Sequence, residues 1–146
     1  DISPDLVRTA HGFLSLNTTS VAENAASATT VGTLSATDAD AGDTFTYTLV
    51  SGTGSTDNAS FTISGSTLRI AAVFDFETKT SYSVRVRVTD AGGLSFEKAI
   101  TISVTNENEA PTDVAANANS VAENAASGTS VATMSATDVD AGDTFT

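Results

Sequence analysis

The segment SVAENAASATTVGTLSATDADAGDTFT at positions 20–46 returns one hundred residues later as SVAENAASGTSVATMSATDVDAGDTFT at positions 120–146. Self-similarity at a fixed period is the signature of an array of like units, so the residues specify a unit before they specify a chain. A unit of about a hundred residues is long enough for a modest core of its own. The second copy stops at the counterpart of Thr46, and a segment of roughly thirty residues without disulfide or metal lies below the size that usually folds alone. The expectation is an N-terminal linker or extension at 1–12, a complete unit over 13–105, a short acidic linker at 106–111 and the opening strands of a second unit over 112–146. The missing part of that second unit is expected from residues beyond Thr146 or from a neighbouring chain, and a first residue of Asp rather than Met fits a processed product or an excerpt.

Within the unit, helical periodicity is scarce, whereas period-two runs bounded by Gly, Asn, Asp and Ser are frequent. Strands are expected at 31–36, 44–50, 60–64, 67–71, 81–89 and 95–105, with an opening strand near 13–21. Tyr82, Val84, Val86 and Val88 share one parity, and Ser83, Arg85, Arg87 and Thr89 share the other. Phe45, Tyr47 and Leu49, Phe61 and Ile63, and Ile100, Ile102 and Val104 repeat the pattern. Seven short strands of this kind predict an all-β, Greek-key, immunoglobulin-like sandwich whose core lies between two sheets. The segments Asp40-Ala-Gly-Asp43, 51–60 and Asp90-Ala-Gly-Gly93 carry turn chemistry.

Eighteen Asp and Glu against six Lys and Arg give a net charge of −12, which repels nucleic acid and anionic membrane surfaces and favours cations. No cysteine is present, so no disulfide supports the fold. No apolar run approaches the ~18 residues of a membrane span.

The carboxylates gather at strand ends and loops: Glu23, Asp38 with Asp40, Asp75 with Glu77, Asp90, Glu107 with Glu109, Glu123, and Asp138 with Asp140. Any one pair, taken alone, reads as loop solvation. Two carboxylates in one turn can also converge on a cation, and Ca2+ takes six to eight oxygens. In order along the chain, Ala-Glu23-Asn, Ala-Thr-Asp38-Ala-Asp40, Phe-Asp75-Phe-Glu77, Val-Thr-Asp90-Ala-Gly-Gly and Asn106-Glu-Asn108-Glu109-Ala-Pro resemble a bacterial cadherin-like repeat of large surface adhesins. The resemblance covers about residues 13–111 and resumes over 112–146.

That resemblance implies calcium held where successive repeats meet. The ligands it implies are Glu23, Asp75 and Glu77 from the first unit, Asn106, Asn108 and Glu109 from the linker, and Asp138 and Asp140 from the second. The linker begins with Asn106 where the family pattern has Asp, which keeps an oxygen ligand and removes a charge. Asp38, Asp40 and Asp90 face LVRTAH rather than an acidic linker, so the site implied at that end is incomplete.

Catalytic chemistry finds no support in the sequence. His11 is the only histidine, lies outside the repeat and has no cysteine or acidic motif beside it, so neither a zinc site nor a nucleophile–base pair is built on it. Asp75 with Glu77 has no cleft of the kind a glycosidase pair flanks. Arg85 and Arg87 read as a solvated or edge-protecting face, and Tyr47 and Tyr82 as core residues. The reading is a non-catalytic, calcium-stiffened extracellular adhesion or spacer module of a bacterial surface or secreted protein, partnered by neighbouring repeats or other copies of itself. Two alternatives stay open: an extracellular fibre subunit joined head-to-tail by strand exchange or donation, and a module that binds polysaccharide on a cell surface.

Overall fold

The computed structural model describes residues 14–37 and 44–146, which fall into two compact units, one ending at Asn106 and one running from Glu107 to Thr146. The expectations for His11, Asp38 and Asp40 lie outside the described residues. Among those described, no helix is long and apolar enough to cross a membrane.

The first unit is a sandwich of two four-stranded sheets. Its strands in chain order are β1 (Ser15–Leu16), β2 (Ser20–Ala22), β3 (Thr30–Ser35), β4 (Phe45–Leu49), β5 (Phe61–Ser64), β6 (Thr67–Ile70), β7 (Ser81–Asp90) and β8 (Ser95–Thr105). One sheet runs β1-β3-β6-β5 and the other β2-β8-β7-β4. Alternation decides which face of each strand is buried. Val84, Val86 and Val88 of β7 are fully buried beside Ile100, Ile102 and Val104 of β8, and opposite them lie Leu34, Phe61, Leu68 and Ile70 of the other sheet. Leaving water with that much apolar side-chain surface is the main force closing the two sheets. Phe74 stacks on Tyr82 at 4.0 Å, and Phe61 meets both rings edge-on, filling one end of the core with the geometry aromatic rings favour.

The opening segment corrects the expectation of one strand over 13–21. It is two strands, one in each sheet, and Asn17 is the reason. Its backbone N–H donates to the Thr33 carbonyl at 3.1 Å, while its side-chain Oδ1 accepts from the Thr33 N–H at 2.7 Å. The side chain thus ends the pairing with β3. Two residues on, the Thr19 carbonyl accepts from the Ser103 N–H, and β2 continues as the parallel neighbour of β8. Leu14 and Val21, on either side of the crossing, reach the same core.

Side chains also extend the other sheet. Past the end of β4, the Asp57 carboxylate accepts from the Ser83 N–H at 2.8 Å, and Asn58 accepts from the Arg85 N–H while donating to the Val50 carbonyl. These two loop residues satisfy the β7 backbone where no strand covers it. On the outer face, Glu97 accepts from both Arg85 and Arg87, so the arginine pair is neutralised in part across the β7–β8 ladder.

In the second unit, β9 (Asp113–Ala116) pairs antiparallel with β10 (Met134–Thr137). Ala115 faces Ser135 as Ser15 faces Ser35, and Asn117 makes the same two bonds to Thr133 that Asn17 makes to Thr33. The register is therefore reproduced by the local sequence.

Candidate functional site

The first unit gathers three acidic side chains at one end of the sandwich. Glu23 follows β2, where its N–H donates to the Thr105 carbonyl at 3.0 Å. Its residue surface is only 3 % exposed, and Oε2 accepts from the Phe76 N–H at 2.8 Å. That bond ties the end of β2 to the segment 74–77. There, Phe74 is buried and Phe76 is half-buried against the core, so alternation turns Asp75 and Glu77 outward. One carboxylate oxygen from each of Glu23, Asp75 and Glu77 lies within 4.8 Å of the others.

The surroundings aim these groups. Asp75 accepts from both the hydroxyl and the N–H of Thr78, at 2.9 and 3.1 Å. The Thr78 hydroxyl first, then its N–H, keep the Asp75 carboxyl below the ordinary aspartate range. Glu77 Oε1 accepts from the Asn106 side-chain amide at 3.1 Å, which brings the last residue of this unit to the cluster.

The second unit has an acidic cluster of its own. Asp138, Asp140 and Asp143 each place a carboxylate oxygen within 4.8 Å of the others. The Asp140 N–H donates to Asp138 Oδ1 at 2.9 Å, and the Glu109 N–H donates to Asp140 Oδ2 at 2.8 Å. Their other oxygens, Asp138 Oδ2 and Asp140 Oδ1, are buried with no hydrogen-bond partner among the described residues. A buried polar atom left without a partner carries a desolvation cost, and oxygen-only donors match a hard cation such as Ca2+. By chemistry and convergence, the residues present fit such an ion.

The remaining expected ligands fall less neatly. Asn108 is exposed and its amide donates to the neighbouring Glu109 carbonyl at 2.9 Å. Asp90, 8 % exposed, closes the β7–β8 hairpin, with Oδ1 accepting from the Leu94 N–H at 2.9 Å. It joins no cluster of three acids among the described residues. Asp143 is the member that spacing alone does not single out, because Asp40-Ala-Gly-Asp43 in the first copy reads as turn chemistry. The available signal is that the third aspartate recurs at the same spacing in both copies. Tyr47 and Tyr82 pack against the core, so they build no exposed platform for a sugar ring.

Residues 17–105 match the family model of the cadherin domain. Human protocadherin-16 is 40 % identical over 101 residues, covering 66 % of this chain and 3 % of that protein. Its rat counterpart is 39 % identical over 137 residues, covering 88 % of this chain and 4 % of that protein. The chain thus spans a few hundredths of the length of these relatives. Among solved structures, extracellular cadherin domains 1–4 of protocadherin gamma B7 superpose with a TM-score of 0.59 at 29 % identity, over 88 % of this chain and 33 % of that one. Human protocadherin-24 domains 1–2, at 22 % identity and a TM-score of 0.63 over 88 % of this chain and 60 % of that one, show the same fold.

Proposed function

Because the chain belongs to the cadherin-domain family, we propose that it is a calcium-binding repeat of an extracellular adhesive rod. Cadherin domains are extracellular adhesion modules without catalytic activity, and they generally bind calcium. The observation that carries the proposal is the convergence of Glu23, Asp75 and Glu77, with Asn106 reaching Glu77. Calcium would be held by these residues and by Glu109, Asp138 and Asp140, with Asn108 contributing from the linker. Asp38, Asp40 and Asp90 would form an incomplete set at the other end.

In this reading residues 13–105 are a complete repeat, 106–111 a calcium-type linker and 112–146 the start of a second repeat. The ion supplies positive charge that cancels carboxylate repulsion. The chain's own residues do the positioning: the Phe76 N–H orients Glu23, Thr78 keeps Asp75 ionised, and Asn106 orients Glu77. The parent is proposed as a surface or secreted adhesin of bacterial type, on the repeat's resemblance to such arrays. Its partners would be neighbouring repeats and other copies, as one related solved structure is described as a protocadherin gammaB7 cis-dimer. Calorimetric titration with calcium tests the proposal. Binding in the ~0.1–1 mM range or tighter, weakened by Glu77→Gln, is expected; no heat of binding up to several millimolar would sink it.

A second reading rests on the apolar groove of the second unit, lined by Val114, Met134 and Phe145. The counterparts Leu14 and Leu34 are buried against strands β5 to β8 in the first unit. Closing strands from another copy would cover the groove in the same way and give head-to-tail fibres. Sedimentation should then show concentration-dependent polymers that Met134→Asp dissolves, whereas a monomer at all concentrations would remove this reading.

A further inference from the structure

Two segments match Asn-x-Ser/Thr with no proline between, Asn17-Thr18-Thr19 and Asn58-Ala59-Ser60, the acceptor pattern for N-linked glycosylation of secreted proteins. We propose that Asn17 is a glycosylation site and Asn58 is not, with a diphosphate-linked sugar as the donor. The use each amide makes of its two ends separates them. Asn58 is half-buried, its Nδ2 donates to the Val50 carbonyl at 2.8 Å, and its Oδ1 accepts from the Arg85 N–H at 3.0 Å. A sugar on that nitrogen would have to be housed inside the loop that covers β7.

Asn17, Thr18 and Thr19 are all exposed. Asn17 Oδ1 accepts from the Thr33 N–H at 2.7 Å and from the Thr18 hydroxyl at 3.2 Å. A backbone N–H can meet only the oxygen of an amide, which fixes how the group is turned. Nδ2 has no hydrogen-bond partner among the described residues. The clamp that divides β1 from β2 therefore uses the oxygen and leaves the nitrogen for chemistry. Transfer forms a bond between Nδ2 and the anomeric carbon and breaks that carbon's bond to the diphosphate, which leaves with the bonding pair as Nδ2 gives up one proton. The carbonyl and one N–H remain, so the clamp survives modification.

The second copy separates the clamp from the acceptor pattern. Asn117 makes the same bonds to Thr133, yet Asn117-Ala118-Asn119 has no hydroxyl two residues on. The clamp thus accounts for Asn17 and does not require Thr19. A glycan at Asn17 would stand where the chain passes from β1 to β2, each at the edge of its sheet, and would shield both edges from pairing with another chain.

Secretion of the whole 146-residue chain from a host that transfers lipid-diphosphate-linked glycans, followed by intact mass and peptide mapping, tests this. One N-glycan on the peptide containing Asn17 is expected, removed by peptide-N-glycosidase and lost in Thr19→Val, which keeps Asn17 and its clamp in place. A secreted chain without a glycan on Asn17, or one that Thr19→Val leaves unchanged, overturns the proposal. A glycan on Asn58 of the folded chain overturns the distinction between the two asparagines.

Discussion

The two copies of the repeated segment share their local structure and differ in burial. Leu14, Val21, Val31 and Leu34 are 1, 7, 5 and 2 % exposed, whereas Val114, Val121, Val131 and Met134 are 63, 55, 49 and 62 % exposed. Strand register, the Asn17 and Asn117 clamps, the bonds from Thr29 to Ala26 and Thr129 to Ala126, and the positive φ of Asn24 and Asn124 are all the same. What the second copy lacks is β2, whose partner in the first unit is β8, and the first four residues of β3, whose partner is β6. Residues 107–146 hold no counterpart of β5 to β8. Turn chemistry and register are therefore local properties of this sequence, and the extended state of 20–22 and 30–33 is imposed by the strands that cover them.

The comparison is broken most severely by equivalent truncations. Leu34→Ala should destabilise the first unit by about 3 kcal/mol, through lost transfer energy and the cavity left behind. Met134→Ala should change stability by less than about 0.5 kcal/mol, as at an exposed site. Urea denaturation of the two variants reads the difference, and equal losses would mean that the second copy is packed like the first.

Next come positions where the copies themselves differ. Gly32 is replaced by Ala132 in the second copy. A Cβ on Gly32 would lie 2.7 Å from Asn17 Oδ1 and 2.9 Å from the Thr18 carbonyl, so Gly32→Ala should cost about 1–3 kcal/mol as overpacking. Ala28 holds φ +75° where the second copy has Gly128 at φ +87°. Ala28→Gly should therefore stabilise the first unit by about 0.5–1 kcal/mol, since glycine adopts that conformation without a Cβ penalty. Thermal melts of both variants give the signs, and a destabilising Ala28→Gly would show that the strain is absorbed elsewhere.

The smallest effect is electrostatic and belongs to the first unit alone. Burial pushes Asp57 upward, but Lys79 and the Ser83 N–H outweigh it and leave its carboxyl below the ordinary aspartate range. Arg85, then Arg87, hold Glu97 below the ordinary glutamate range. A carboxyl whose folded pKa is depressed binds its proton more readily when unfolded, so its contribution is present above the unfolded value and lost as pH falls through the folded one. Stability should decline as pH falls below the ordinary carboxylate range towards the depressed folded values, and Glu97→Gln should shallow that decline in acid-denaturation curves. An unchanged slope would mean the Arg85–Glu97–Arg87 bridge contributes nothing measurable, as many surface pairs do.

Much of this fold is readable from alternation. The parity of 82–88, 45–49 and 100–104 places the core between two sheets, because a side-chain period of two leaves no choice once one face is apolar. The split of the opening strand is not readable, since it depends on one asparagine side chain substituting for a backbone partner in a neighbouring strand, with Thr33 lying sixteen residues on. Nor does spacing show that Asp90 serves its own hairpin, because a turn-capping carboxylate and a ligand look alike in sequence. Glu23 lies far along the chain from Asp75 and Glu77, and it is the Glu23 bond to Phe76 that brings it to them. The motif order points to the set; the convergence within each unit needed the fold.

The most direct test of calcium as the ligand of these clusters is the melting temperature of the whole chain in excess chelator and in millimolar calcium. An ion that binds only the folded state stabilises it by mass action, so the account predicts a higher melting temperature in calcium that rises with its concentration and is diminished by Glu77→Gln. A melting temperature identical in chelator and calcium would contradict it.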